Sequence, residues 1–521
     1  MKLFPRFAAA LVAVATTAAL TACGGGAQSQ QNAGPTKELE VFSWWTSGSE
    51  DAALQSLITA YKSAYPEVNV TNGAVAGGGG GNSQQILQTR IQGGNPPDTF
   101  QTHPEESLKQ YLDADALADL SSAYDQNGLR QAVPEDMLQS HSKDGKQYGV
   151  STGAHRGNVL WYSIPALQKA GVSVPAEGYT TDQFLTDLEK VKASGTTPLC
   201  LGAKDTFAVA QLFENTLLGS TGKDGWTKLV SNQTQWTDPS VSQAAETFTR
   251  AMSYADPDAS AMTWDQAAKK LGEGQCAFNT MGDWEYGELV KAGKTEGKDF
   301  GYVAHPGTQG TFVLVVDTFA VSNQAKNFRN AVDFATVLGK PEVQLEFNRL
   351  KGSTPIRTDV DVSSLPKYQQ SAAQSYRSDG RVWSIAHGQA TPAAFQQSFF
   401  DAVTQYAASK DTAAFTKVPG IGKKTAQRIL LELAGKLVIE PAAEQTEAPD
   451  GAGGPAGAGQ GAPAASGAAA QVEQALTSLG WTEKDARSAV ERQLREAPEL
   501  AEAEVPVLLR STLRMLGGPG R

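Results

Sequence analysis

Between residues 38 and 415 two hydrophobic periods take turns along the chain. Short apolar runs, continuous or with apolar side chains two apart, predict strands through Leu39, Val41 and Phe42 and at 68–75, 98–103, 147–150, 159–162, 197–201, 276–281 and 312–316. Segments with apolar residues three and four apart predict helices at 50–65 (Leu54, Leu57, Ile58, Tyr61), 84–92, 107–120, 182–193, 327–338, 342–349 and 394–409. Strands alternating with helices predict βαβ units and a largely parallel sheet. About 380 residues of this pattern exceed what one sheet domain buries, so two lobes are expected.

Several predicted strands end in polar and aromatic tips. Trp44 and Trp45 follow the first strand, and Thr46-Ser47-Gly48-Ser49 then leads into a helix opened by Glu50. Ligands of open α/β sheets sit at the carboxyl ends of strands. Paired indoles offer flat apolar faces with an N–H at the edge. The alternative is that one or both indoles are core. Gln101 and His103 stand at another tip, Asp283 and Trp284 follow the strand at 276–281, and the strand at 312–316 ends in Asp317-Thr318. The five glycines at 77–81 lack a following Gly-Lys-Ser/Thr, so they read as close backbone approach or a mobile loop rather than a phosphate cradle.

The first residues bear on the compartment. Lys2 and Arg6 precede a short apolar run that ends in Leu20-Thr21-Ala22-Cys23, which resembles a bacterial lipobox. That implies a signal peptide at 1–22, cleavage before Cys23 and lipidation of its thiol. Residues 24–37, rich in Gly, Ser, Gln and Asn, read as a tether. Two of the three cysteines then remain, Cys200 and Cys276; export permits a disulfide between them, and spacing does not decide it. A formal net charge of −11 argues against a general nucleic-acid binder.

The motifs WWTSGSE, GGNPPDTFQTH, HRGNVLWY, TPLCLG, AFNTMGDW, VVDTF and LKGSTPIR lie in order between 44 and 357. Together they resemble the extracellular solute-binding proteins of carbohydrate ABC transporters, glucose/mannose type. The resemblance covers about residues 38–415 and implies a periplasmic-binding-protein fold: two α/β lobes, a hinge, one sugar in the cleft, and delivery to membrane permease subunits. It implies Trp44, Trp45, Glu50, Gln101, His103, Trp264, Trp284, Asp317, Lys351 and His387 as sugar contacts. The alternatives are core for Trp264 and Trp284, a surface charge for Lys351, a structural role for His387, a helix cap for Asp283, and for His155 with Arg156 a pair across the lobes. Glu50, Asp283 and Asp317 invite a glycosidase reading, but no spacing supports an acid/base pair. No enzyme activity, cofactor or metal is expected.

The pattern breaks near Phe415-Thr416-Lys417. Residues 416–440, with Pro419-Gly420-Ile421-Gly422 and an amphipathic run after it, resemble the second helix-hairpin-helix of RuvA, the Holliday-junction subunit. Gly420, Gly422, Lys423 and Lys424 are the candidate DNA phosphate contacts. Residues 441–470, rich in Ala, Gly and Pro, read as a disordered linker. Residues 471–516 resemble RuvA's small three-helix domain, the part that engages RuvB. The RuvA-like part lacks an OB-fold and a first hairpin. The chain therefore reads as a chimera, natural or artefactual, whose export separates its tail from RuvB and junction DNA. The join is expected to cost the second lobe a closing helix, with Leu430, Leu431 and Leu433 as a replacement apolar face.

Overall fold

The computed structural model describes residues 36–76, 81–236, 238–409 and 483–498, with isolated residues near the last segment. The expected signal peptide, Cys23, nearly all of the tether, most of the glycine run, the hairpin with Gly420 to Lys424 and the linker up to 468 lie outside the described residues. Met1–Val438 and Ile439–Arg521 are separate compact units. In the second, helix Glu483–Glu496 buries Ala489 and Val490 with Ala469, Val472 and Leu508.

The first unit holds two sheets. The strands are β1 (Glu38–Phe42), β2 (Asn69–Asn72), β3 (Thr99–Thr102), β4 (Ser142–Lys143), β5 (Lys146–Gln147), β6 (Val150–Arg156), β7 (Val159–Ser163), β8 (Thr197–Leu199), β9 (Cys276–Met281), β10 (Phe300–Ala304), β11 (Thr311–Val321), β12 (Thr354–Pro355) and β13 (Gly380–Trp383). The first lobe is built on the order β12-β6-β11-β3-β1-β2, with β13 also on β11; the second on β10-β7-β9-β8; β4 and β5 form a small ribbon. Each sheet has its own core. Leu54, Leu57, Tyr61, Phe334 and Phe347 pack in the first lobe, and Trp161, Phe213, Phe248 and Phe278 in the second.

The expected parallel sheet is mixed instead. β1–β2, β1–β3, β8–β9 and β11–β13 run parallel, whereas β11 is antiparallel to both β3 and β6, and β7 to both β9 and β10. The cause is the crossing between lobes: the chain leaves the first lobe along β6 and returns along β11, so the two must run in opposite directions. β11 also runs to Val321, well past its expected end, because all 11 of its residues are buried and the polar pair Asp317-Thr318 only interrupts the apolar run. The helix expected at 107–120 stops at Asp113, since Asp115 takes φ 49 and turns the chain away.

The crossings define the hinge. Gly157 and Asn158 join β6 to β7, residues 305–310 join β10 to β11, and Ser384 onward leads from β13 to helix Ala393–Ser409. Asn158 binds both connectors: its Nδ2 donates to Thr308 Oγ1 (2.9 Å) and Thr311 O (2.8 Å), and its Oδ1 accepts from Val313 N (3.1 Å). Gln389 Oε1 accepts from Val316 N (3.2 Å) and pins the third crossing beside them. Within the second lobe Cys200 and Cys276 form a disulfide, Cα atoms 5.6 Å apart, between the end of β8 and the start of β9.

Candidate functional site

The site starts where β1 ends. Ser43 Oγ donates to Gln101 Oε1 (2.8 Å) and accepts from Trp45 N (3.0 Å), which turns the chain out of the sheet at the tryptophan pair. Gly48 then takes φ 66, and a Cβ there would meet the Glu288 carboxylate from the second lobe, so the motif glycine meets both a backbone and a packing need. Glu288 accepts from Ser49 N (2.5 Å) and Ser49 Oγ (2.8 Å) at the start of helix Gly48–Ala64, where an anion is favoured. Gly352, at φ 93 after helix Pro341–Lys351, admits the Asp283 carbonyl in the same way.

Between the lobes lies a cavity of about 420 Å³. Trp44, Trp45, Glu50, His103, Trp264, Trp284, Asp317, Lys351 and His387 all line it. Gln101 does not. It is 1% exposed and stands behind the wall, where its Oε1 holds the Ser43–Trp44 turn and its Nε2 donates to Asp317 Oδ1 (2.8 Å). Gln101 stands at the strand tip but is taken up by Ser43, Trp44 and Asp317 rather than facing the cavity. Trp45 is a partial correction of the same kind: with 0% exposure it packs on Phe319 and Phe347, and its remaining face lies 5.3 Å from Lys351 Nζ. Trp44 lies beside His103 (5.2 Å) and keeps some surface toward the cavity.

Lys351 is no surface charge. Its side chain is 2% exposed, pairs with Glu50 Oε1 (2.7 Å) and lies 5.8 Å from the Trp284 ring. Burial raises the Glu50 carboxyl, and Lys351 opposes that rise. His155 sits between two acids, with Nδ1 2.5 Å from Asp283 Oδ1 and Nε2 3.2 Å from Asp317 Oδ2. Burial disfavours its charge, yet Asp283 and Asp317 outweigh that and raise it above the ordinary histidine value. Burial pushes the Asp317 carboxyl up, but His155, Lys351 and His103 together hold it well below the usual carboxylate range. Burial lowers His103 and His387 below the ordinary histidine value. Asp283 makes no side-chain cap; its carboxylate takes His155 and the Arg156 N–H (2.9 Å).

Asp205, Phe207, Thr263, Asp265, Glu288, Val315 and the Thr46–Gly48 backbone also line the cavity and escaped the sequence reading. Asp205 Oδ2 accepts from Trp264 N (2.8 Å) and so positions that indole at the start of helix Trp264–Gly272. Its one signal was an acid directly before an apolar helix. Among the described residues no group of three His, Cys, Asp or Glu is placed to hold a metal, and no helix is long and apolar enough to cross a membrane.

The family described as bacterial extracellular solute-binding protein matches residues 45–345. This chain belongs to that family. This solute-binding protein is 32% identical over 396 residues to an uncharacterised ABC transporter extracellular-binding protein of Pyrococcus horikoshii, covering 75% of this chain and 89% of that one. It is 30% identical over 385 residues to a probable sugar-binding periplasmic protein of Brucella melitensis, covering 72% and 89%. A solved bacterial solute receptor described as preferring β-D-galactopyranose superposes with a TM-score of 0.64 at 18% identity, covering 76% of this chain and 99% of that chain, which supports the fold. The C-terminal part of the chain matches other families. Residues 398–434 match the SAM-like helix-hairpin-helix tandem and 467–517 the RuvA C-terminal domain. RuvA of Pseudarthrobacter chlorophenolicus is 46% identical over 124 residues, 23% of this chain and 51% of that protein.

Proposed function

We propose that this solute-binding protein is a lipid-anchored receptor on the extracytoplasmic face that holds one monosaccharide, a glucose- or mannose-like hexose, and hands it to an ABC permease. The observation that carries the reading is the cavity wall: indoles of both lobes, Trp44 and Trp264, beside Glu50, His103, Asp317, Lys351 and His387. A pyranose has apolar C–H faces for the indoles and a rim of hydroxyls for the polar groups. Each site group left without its hydroxyl costs about 1–3 kcal/mol, enough to separate epimers. The name of the Brucella relative agrees with a sugar. The carboxylates serve binding rather than hydrolysis, since Glu50 is engaged by Lys351 and Asp317 by His155 and Gln101. The domain plan of the proposal is a signal peptide at 1–22, a tether at 23–37 lipidated at Cys23, the receptor at 38–415, a hairpin at 416–440, a linker at 441–470 and a small helical domain at 471–516.

Calorimetric titration of residues 24–521 with glucose, galactose, mannose and xylose tests the reading. One-to-one binding of one sugar, clearly weakened in Asp317→Asn, supports it; no heat from the folded protein with any of them sinks it. A second reading rests on the 46% identity of the tail to RuvA: a branch-migration accessory in DNA repair that works with RuvB. It requires cytosolic retention and a mobility shift with four-way junction DNA, and fails without both.

A further inference from the structure

Glu214 lies in the middle of helix Thr206–Val230, fully buried and outside the cavity. Its carboxylate is wrapped by the turn that carries His387. Oε2 accepts from Ile385 N (2.7 Å) and Ala386 N (3.0 Å), and both oxygens lie within reach of Ser384 Oγ (2.9 and 3.0 Å). Ser384 Oγ in turn meets His387 Nδ1 (2.9 Å) and His387 N (3.2 Å). The direction of each bond follows from the donor inventory. A carboxylate has no proton to give, so the Ser384 hydroxyl donates to Glu214. Its oxygen is then left with acceptor capacity only. It takes the His387 backbone N–H and can meet Nδ1 only if Nδ1 carries the ring proton. Nε2 is therefore a bare lone pair on a cavity-lining ring, with no hydrogen bond to the described protein.

We infer that Glu214, acting through Ser384, is a positioning residue that fixes His387 as the Nδ1–H tautomer, so that the site demands a ligand hydroxyl as donor at this point. The inference rests on the proposed sugar site and deepens it. His103 reaches the same state by another route: its Nδ1 meets Val316 O (2.8 Å), a carbonyl that only accepts. Two imidazole acceptors thus face the cavity, which suits a polyol.

The test reads the tautomer itself. Long-range proton–nitrogen correlation NMR on ¹⁵N-histidine-labelled protein, at about pH 8, is above the value of about 7 to which burial raises Glu214. The wild type is expected to show His387 as Nδ1–H. Glu214→Gln places an amide donor on Ser384 and is expected to reverse the chain of bonds, moving the proton to Nε2. Ser384→Ala keeps the Glu214 bonds to Ile385 and Ala386, so it folds, and is expected to lose the single tautomer. Sugar affinity in both falls about tenfold, the worth of one hydrogen bond. A wild type with Nε2–H, or variants whose His387 tautomer matches the wild type, overturns the inference. If no sugar binds the wild type, the receptor reading falls while the NMR result still decides the tautomer.

Discussion

The two walls of the cavity are made of different physics. On the first-lobe side the wall is ionic and sealed: Lys351 with Glu50, Asp317 with His155 and Gln101, all held by strands or by a helix end packed on them. On the second-lobe side Trp264, Trp284 and Phe207 make it aromatic, with the His387 ring 5.2 Å from Trp284 and 5.6 Å from Phe207, and its acids Asp205, Asp265 and Glu288 have no lysine or arginine beside them in the lining. Two tryptophans mark the contrast. Trp45 is a floor beneath Lys351, while Trp264 stands at a helix start with its backbone held by Asp205. A charged wall must be complete before a ligand arrives, because a buried charge without its partner destabilises the fold. An aromatic wall needs only a fixed plane. The first wall therefore depends on its ion pairs, and the second on its packing.

Substitutions that break this contrast differ in size. Trp45→Ala empties the floor and is expected to cost about 3–5 kcal/mol in urea unfolding, and Lys351→Met, which leaves the half-buried Glu50 unpaired, about 2 kcal/mol. Asp317→Asn is expected to weaken sugar binding by about 2 kcal/mol, roughly thirtyfold by calorimetry, as a charged acceptor is lost. Trp264→Ala is expected to weaken binding about tenfold and to lower the unfolding midpoint less than Trp45→Ala, because Trp264 is 9% exposed and Trp45 0%. If Trp264→Ala unfolds as readily as Trp45→Ala, the contrast between the walls is gone. The smallest effect is a pH slope. The Asp317 carboxyl is held below its ordinary value of 3.8, so the stability it adds is full above that value and fades as pH falls through the folded value. The stability gap between the wild type and Asp317→Asn should narrow below pH 3.8; a constant gap contradicts the paired carboxylate.

Much of the first wall was legible in the sequence because its residues fall at strand tips, where period-2 patterning ends in Trp, Gln, His and Asp. Direction was not legible. Whether Gln101 faces the cavity or its own sheet depends on how β3 sits between β1 and β11, and that is long-range pairing. The second wall was half legible: Trp264 and Trp284 were named, while Asp205 and Glu288 act through partners far away in sequence. Glu288, for instance, meets Ser49 across 239 positions. The mixed sheet was missed for the same reason, since antiparallel pairing of β6 with β11 follows from the chain's return between lobes, which local periods do not record.

Asn158 has a mechanical consequence. One side chain grips both connectors, and Gln389 fastens the third beside them. Three separate cords between two bodies permit sliding in several directions; three cords bound side by side permit rotation about one axis. Binding the three connectors side by side favours rotation of one lobe against the other over sliding.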